Sequence, residues 1–286
     1  LLKEMPVDTD QVFVVDRNFN YLGSLLITSL LTEEPEKMVE ALINNDVSKP
    51  VSADTDEAKV ALLFEQRNLI SAPVIDENNQ LVGRITIDDV VDVIRDQAEH
   101  SVMSMVGLDE DEDVFAPIIQ SSKKRSVWLG VNLVTAFIAV YFIGLFEATL
   151  QQKIALAILM PVVASMGGIA GTQTLIIVTR GIATGRVTTA NIKTLINKEV
   201  ALSGLNGIIW SIVIGLITYY WFADLLLSLI IALAIITNLV VAAFSGAFLP
   251  LLLSKLKIDP ALAGGVILTT ITDVIGFVAF LGLAAL

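Results

Sequence analysis

The sequence predicts an α/β unit that occurs twice, followed by an all-α membrane domain of five helices. Three observations predict this. Hydrophobic residues make up 55% of the 286 residues and charged ones 17%, with a mean hydropathy of +0.75; an ordinary soluble chain is about a quarter charged. Charge is divided along the chain: residues 1–120 hold 25 of the 30 acids and 8 of the 18 bases, and residues 121–286 hold 5 acids and 10 bases. A strand-turn-strand pattern occurs twice in the acidic half, with Asp16, Gly23 and Ile27 matching Asp76, Gly83 and Ile87.

These features exclude several classes of function. No basic stripe is present, so nucleic acid is not expected as a partner. There is no cysteine and one histidine, which excludes disulfides, thiolate sites and His-rich zinc or copper sites. A bound metal must take oxygen ligands, as magnesium and calcium do. The chain opens on Leu1 with no basic or apolar leader. We expect no signal peptide and a natural N-terminus lying before Leu1.

Residues 1–100 carry the two units. In the first, Val12-Phe13-Val14-Val15-Asp16 precedes Tyr21 to Ile27; in the second, Ala72-Pro73-Val74-Ile75-Asp76 precedes Leu81 to Ile87. Each reads as strand, turn, strand and helix. The second has a further helix in front, expected over 54–67 with Asp54 as its cap. The first lacks that opening strand and helix. A linker helix is expected over 88–101, amphipathic through Val90, Val91, Val93 and Ile94. Residues 101–125 form a connecting segment with an acidic run, Asp109-Glu110-Asp111-Glu112-Asp113, and then Lys123-Lys124-Arg125. Such a run is either a solvated loop or a place where cations sit between like charges.

Residues 126–286 contain five apolar stretches long enough to cross a bilayer, over about 127–146, 154–178, 201–222, 225–253 and 261–286. The fourth is long enough to need tilt or a break. If the acidic half is cytoplasmic, nine Lys or Arg flank the inside ends and only Lys153 flanks the outside. This obeys the positive-inside rule and places the C-terminus outside. Lone His100 is expected at the surface of the linker helix.

Three features lie inside the bilayer. Asp273 falls near the middle of the last stretch, where an ionised carboxylate costs about 2.5–3.5 kcal/mol on the mild scale. It is expected to face a cavity or a partner; a protonated Asp tying two helices together is the other reading. Pro161, Gly167, Gly168 and Gly171 lie within eleven residues. They predict a kinked or unwound second span with freed carbonyls, or else close packing through small residues. Thr269, Thr270 and Thr272 lie beside Asp273, with Thr237 and Asn238 on the fourth span. Thr269 and Asp273 are four residues apart and share a face. Asp259-Pro260 reads as a helix cap followed by proline at the first helical position.

Two resemblances follow from these residues. The repeated units resemble a CBS-domain pair with an incomplete first repeat. In many such pairs a Gly-x-x-Thr-x-x-Asp stretch binds adenine nucleotide. Gly83, Thr86 and Asp89 fit that pattern, and a plain strand-to-helix cap is the other reading. The Pro161-to-Gln173 stretch, the Asp259-Pro260-Ala261-Leu262 opening and Thr272-Asp273-Val274-Ile275-Gly276 resemble the MgtE-type magnesium channel family across nearly the whole chain. The resemblance implies a homodimer with the pore between membrane domains. It implies Mg2+ as the ion carried, in company with Co2+ or Mn2+. It also implies Asp273 as the pore carboxylate, with carbonyls of Ser165, Gly168 and Thr269 as further oxygens. It places a cytosolic magnesium sensor at or near Asp76, Asp88, Asp109, Asp111, Glu112 and Asp113. Ile169, Thr172 and Gly265 stand where relatives carry Asn, and Asn78 stands where they carry an acid. The expected function is a channel that admits Mg2+ down its gradient and closes when cytosolic Mg2+ rises. A proton- or sodium-coupled transporter is the alternative. An enzyme is not expected, because no acid/base pair lies in the membrane.

Overall fold

The computed structural model describes residues 9–34, 36–43, 49–105, 107–108, 115–188 and 190–286. The chain divides into two compact units, Leu1–Glu99 and His100–Leu286.

In the first unit, strands β1 (Gln11–Val15) and β2 (Tyr21–Leu26) form an antiparallel hairpin, followed by short helices α1 (Ile27–Thr32) and α2 (Val39–Leu42). Strand β3 (Val51–Ser52), helix α3 (Glu57–Arg67), strands β4 (Ser71–Ile75) and β5 (Leu81–Thr86) and helix α4 (Ile87–Ser104) follow. β3 pairs parallel with β4, and β4 pairs antiparallel with β5. Val51, Val60, Ala61, Phe64, Ala72 and Val90 make the core of this second repeat.

The repeat in the sequence is a repeat in backbone geometry. Asp16 Oδ1 accepts from the amides of Asn18 and Asn20 at 2.7 and 2.9 Å. Asp76 Oδ1 accepts from those of Asn78 and Gln80 at 2.9 and 2.8 Å. Phe19 and Asn79 hold the same left-handed conformation, φ 65° and 63°. The two turns also pair with each other. Tyr21 N donates to Asn79 O, and Leu81 N donates to Phe19 O, both at 2.9 Å. Buried Gln11 donates to Ser71 O at 2.8 Å.

These turn bonds favour the ionised carboxylate. The Asn20 side-chain amide holds Asp16 below its ordinary value, and the Gln80 amide does the same for Asp76. A lowered folded value means that the stabilisation is fully present above the unfolded value of 3.8 and is lost as pH falls through the folded one. The Tm gap between wild type and Asp76→Ala is therefore constant from about pH 6 to 8 and narrows below about pH 4. A pH series of thermal melts checks this, and a gap that widens in acid rejects the assignment.

The second unit holds α5 (Ile118–Gly144), α6 (Glu147–Gln152), α7 (Ile154–Ala183), α8 (Ile192–Phe222), α9 (Leu225–Lys255) and α10 (Pro260–Ala285). All except α6 are long and apolar enough to cross a membrane. α9 is the central helix: half of its most apolar stretch is buried, against 6% of that of α5. Its Ile231, Ala234 and Ile235 are fully buried against Leu156 and Val163 of α7 and Phe280 and Leu281 of α10. A helix apolar all round is the type that suits such a position.

Several expectations are corrected. Asp56, not Asp54, caps α3, accepting from Ala58 N at 3.1 Å, and the helix starts at Glu57. The linker helix runs on to Ser104. α5 and α8 each begin nine residues before the apolar stretch, because hydropathy marks the part that crosses hydrocarbon and not the helix end. α7 is one unbroken helix through Pro161 and the glycines, so no unwound segment frees carbonyls there. Gly167 and Gly171 are spent on packing, against Asn238 and Leu268, and the helix runs on through the sequence that would break it alone. α9 is likewise continuous through Pro250.

Candidate metal pathway and sensor residues

Asp259 starts α10. Its Oδ1 accepts from Ala261 N at 2.9 Å, and Pro260 takes the first helical position. This fixes the register that carries Asp273 to the middle of the helix, about 20 Å from the Pro260 end at 1.5 Å per residue. The buried seam of α10 is Gly264, Leu268, Thr272, Gly276 and Phe280, four residues apart throughout. Asp273 lies beside that seam, half-buried, and Thr269 one turn earlier is exposed.

The hydroxyls here bond to their own helix. Thr269 Oγ1 donates to Gly265 O at 2.9 Å, Thr270 Oγ1 to Val266 O at 2.8 Å and Thr272 Oγ1 to Thr269 O at 3.0 Å. Such back-bonding uses the hydroxyl proton and turns oxygen lone pairs outward. On α7 the buried seam is Val163, Gly167, Gly171, Thr174 and Val178. Ser165, Ile169 and Thr172 are exposed beside it, with Gly168 partly so. A Cβ built on Gly168 would meet nothing within 4 Å. Ser165 and Gly168 thus lie outside the packed seam, as Thr269 does on α10. Their carbonyls belong to a continuous helix.

Asn238 of α9 is fully buried. Its Nδ2 donates to Val163 O at 2.9 Å, and its Oδ1 has no partner. A Cβ on Gly167 or Gly276 would come within 2.2 or 2.6 Å of Nδ2. Asn238 therefore ties α9 to α7 between two glycines. Thr237 donates to Leu233 O at 2.9 Å.

Two groups were not visible in the sequence as they stand here. Glu199 reads as a span-end residue, yet it is 2% exposed, with Thr174 Oγ1 3.5 Å away and the exposed Lys198 ammonium at 3.8 Å. The early start of α8 carries it inward. His100 is exposed, as the sequence leads one to expect, and its Nε2 lies 3.2 Å from Asp259 Oδ2, a partner the sequence does not show. Both residues belong to the second unit, so His100 reaches the cap of the helix that bears Asp273 from within it.

Among the sensor candidates, Asp76 organises its own turn and is exposed. Asp88 is exposed in the first turn of α4. Asp109, Asp111, Glu112 and Asp113 lie outside the described residues. At the nucleotide motif, Thr86 N and Oγ1 both donate to Asp89 Oδ2 at 3.0 Å. This is the helix-start cap, with the third helical residue reaching back to the residue before the helix. Gly83 has open space around it.

Residues 160–283 match the MgtE family, described as divalent cation transporters, and residues 40–96 match the CBS domain. The chain carries an MgtE-family domain after a CBS domain. MgtE proteins are membrane transporters and not enzymes. The chain is 31% identical over 283 residues to the magnesium transporter MgtE of Bacillus subtilis, covering 98% of this chain and 62% of that one. It is 29% identical over 278 residues to the magnesium transporter MgtE of Thermus thermophilus, covering 96% and 61%. The chain thus spans about three fifths of the length of the curated MgtE relatives it matches. Among solved structures it is similar to the cytosolic domain of the Mg2+ channel MgtE in complex with ATP: 34% identity over 29% of this chain and 34% of that one, TM-score 0.28. A second is the cystathionine beta-synthase pair domain of a Shewanella oneidensis protein, at 27% identity over 34% and 56%, TM-score 0.32.

Proposed function

We propose that this chain carries Mg2+ into the cytoplasm through a pore between the membrane domains of a homodimer, and that cytosolic Mg2+ closes the pore. The observation that carries this reading is Asp273, the one acid at the middle of a membrane helix among the described residues, beside an exposed strip and outside the packed seam. Mg2+ sheds water reluctantly and prefers octahedral oxygen geometry. One carboxylate per subunit, with Thr269 one turn earlier and the exposed strip of Ser165 and Gly168 on α7, suits an ion that keeps most of its waters. Two Asp273 carboxylates facing each other repel in a low dielectric, and a divalent cation removes that conflict. Inward movement of a double charge gains about 4.6 kcal/mol at 100 mV, so flow needs no coupled ion.

The acidic N-terminal half supports the gating part of the proposal. Bare carboxylates repel one another at low internal Mg2+; bridging ions draw them together when it rises. Regulation requires that the ion bind the closed state more tightly.

Purified protein in a planar bilayer, with Mg2+ as the only permeant cation, tests both parts. Currents are expected without any proton or sodium gradient, shrinking as internal Mg2+ is raised. Uptake only in the presence of such a gradient overturns the channel and favours the coupled alternative, for which buried Glu199 is the available second carboxylate. In Asp109→Asn/Asp111→Asn/Asp113→Asn, half-closure is expected to need about tenfold more internal Mg2+, equivalent to about 1.4 kcal/mol of lost coupling. An unchanged dose-response rejects the sensor assignment.

A further inference from the structure

The turn between α7 and α8 encloses a cleft of about 500 Å3, the size that takes a small molecule or a headgroup. Arg180, Arg186 and Lys198 line it with Thr184 and Thr194, and among the described residues no carboxylate does. Among the described residues neither guanidinium forms an ion pair. Lys198 has only the loose 3.8 Å contact with Glu199, and its own side chain is 72% exposed.

The cleft is held in shape by its backbone. Val187 N donates to Gly181 O at 2.8 Å, which folds the turn back onto the end of α7. A Cβ on Gly181 would lie 2.4 Å from Val187 Cγ2, so a side chain at 181 would push the Val187 side chain out of its present place. Gly185 adopts φ 65° to make the reversal. Asn191 Nδ2 donates to Arg186 O at 2.7 Å, and its Oδ1 accepts from Thr188 N at 2.9 Å. The backbone of Arg186 is thereby held at the cleft that exposed Arg180 and Lys198 also line, although three like charges around one cleft repel. An arrangement that gathers cations with no acid of its own suits an anion from outside.

The depth of the cleft identifies that anion. α7 has 30 residues and α8 has 31. At 1.5 Å per residue each is about 45 Å long, the bilayer thickness with its headgroups included. Arg180 lies in the last turn of α7, and Lys198 about 10 Å from the start of α8, so the cations sit at headgroup level. Ile177 and Leu195 give the cleft an apolar wall, as an acyl chain needs. Basic pockets between membrane helices are known lodgings for anionic headgroups. We propose that this cleft binds the phosphate of an anionic phospholipid, its headgroup among Arg180, Arg186 and Lys198.

Thermal melts of the purified full chain in detergent test this, with phosphatidylglycerol, phosphatidylcholine or glycerol phosphate added. Phosphatidylglycerol is expected to raise the Tm, and the other two are not. Arg180→Gln, Arg186→Gln and Lys198→Gln should each need about fivefold more phosphatidylglycerol for the same rise. Lys255→Gln, a cation outside the cleft, should respond as wild type does. Native mass spectrometry counts the lipid retained by each variant, so one with a lowered basal Tm still reports. Equal retention by wild type and the three variants overturns the site, as does an equal response to phosphatidylcholine. An equal Tm rise with glycerol phosphate overturns the lipid as occupant and assigns the cleft to a soluble phosphate.

Discussion

Asp273→Asn should abolish Mg2+ flux while leaving the helix bundle folded. α10 places this carboxylate about 20 Å from the Pro260 end, near the bilayer midplane. Keeping it ionised there costs about 2.5–3.5 kcal/mol. The cost is offset when a cation meets the charge, and that is when the charge is useful. Asn keeps the size and the carbonyl oxygen and removes only the charge. Losing about 3 kcal/mol of ion stabilisation corresponds to a fall in flux of about a hundredfold, at 1.4 kcal/mol per factor of ten. The Tm of the variant should equal or exceed that of wild type, since no packing atom is lost. Liposome uptake with a Mg2+-sensitive dye, read beside a thermal melt, separates the two quantities. Wild-type flux with a lowered Tm would make Asp273 a tie between helices and remove it from the pore.

The position of Asp273 was legible in the sequence because it follows from local rules. Asp259-Pro260 announces the helix start, and counting along an apolar stretch does the rest. The sixty-residue offset of the two turns was equally local: Asp16 and Asp76 bond to amides within four residues of themselves. What could not be read depends on partners distant in the chain. Asn238 gains its role only when Gly167 and Gly276 close around it. Glu199 becomes buried because α8 starts early and packs Thr174 over it. His100 finds Asp259 across 159 positions of sequence. The expected unwinding near Pro161 failed for the same reason. Glycines counted as breakers in isolation are contact points in a packed membrane domain, where a missing side chain lets two helices approach.

Gly246→Ala should lower stability sharply, because Gly246 is one of these contact points. A Cβ at Gly246 would lie 2.5 Å from Gly171 O, 3.1 Å from Thr174 Cβ and 3.2 Å from Leu175 N. Two of these atoms are backbone, so no rotamer change relieves the clash and α7 must move away from α9. Because α9 is the central helix, the displacement spreads to α8 and α10 as well. We expect a loss of about 3 kcal/mol, the upper end for overpacking, and a Tm lower by about 6 °C or more. Gly168→Ala is the matched contrast. Its Cβ meets nothing within 4 Å, and alanine is the better helix former by about 1 kcal/mol. Its Tm should hold or rise. If Gly168 also borders the ion's path, the added methyl changes Mg2+ flux with no cost in stability. The two glycines then separate cleanly: one substitution lowers stability, and flux falls with it; the other leaves stability alone and alters flux. A wild-type Tm for Gly246→Ala would mean that α7 and α9 do not cross at Gly171. A drop in Tm for Gly168→Ala would mean that a second copy packs tightly over the strip, closing the path that Asp273 is proposed to serve.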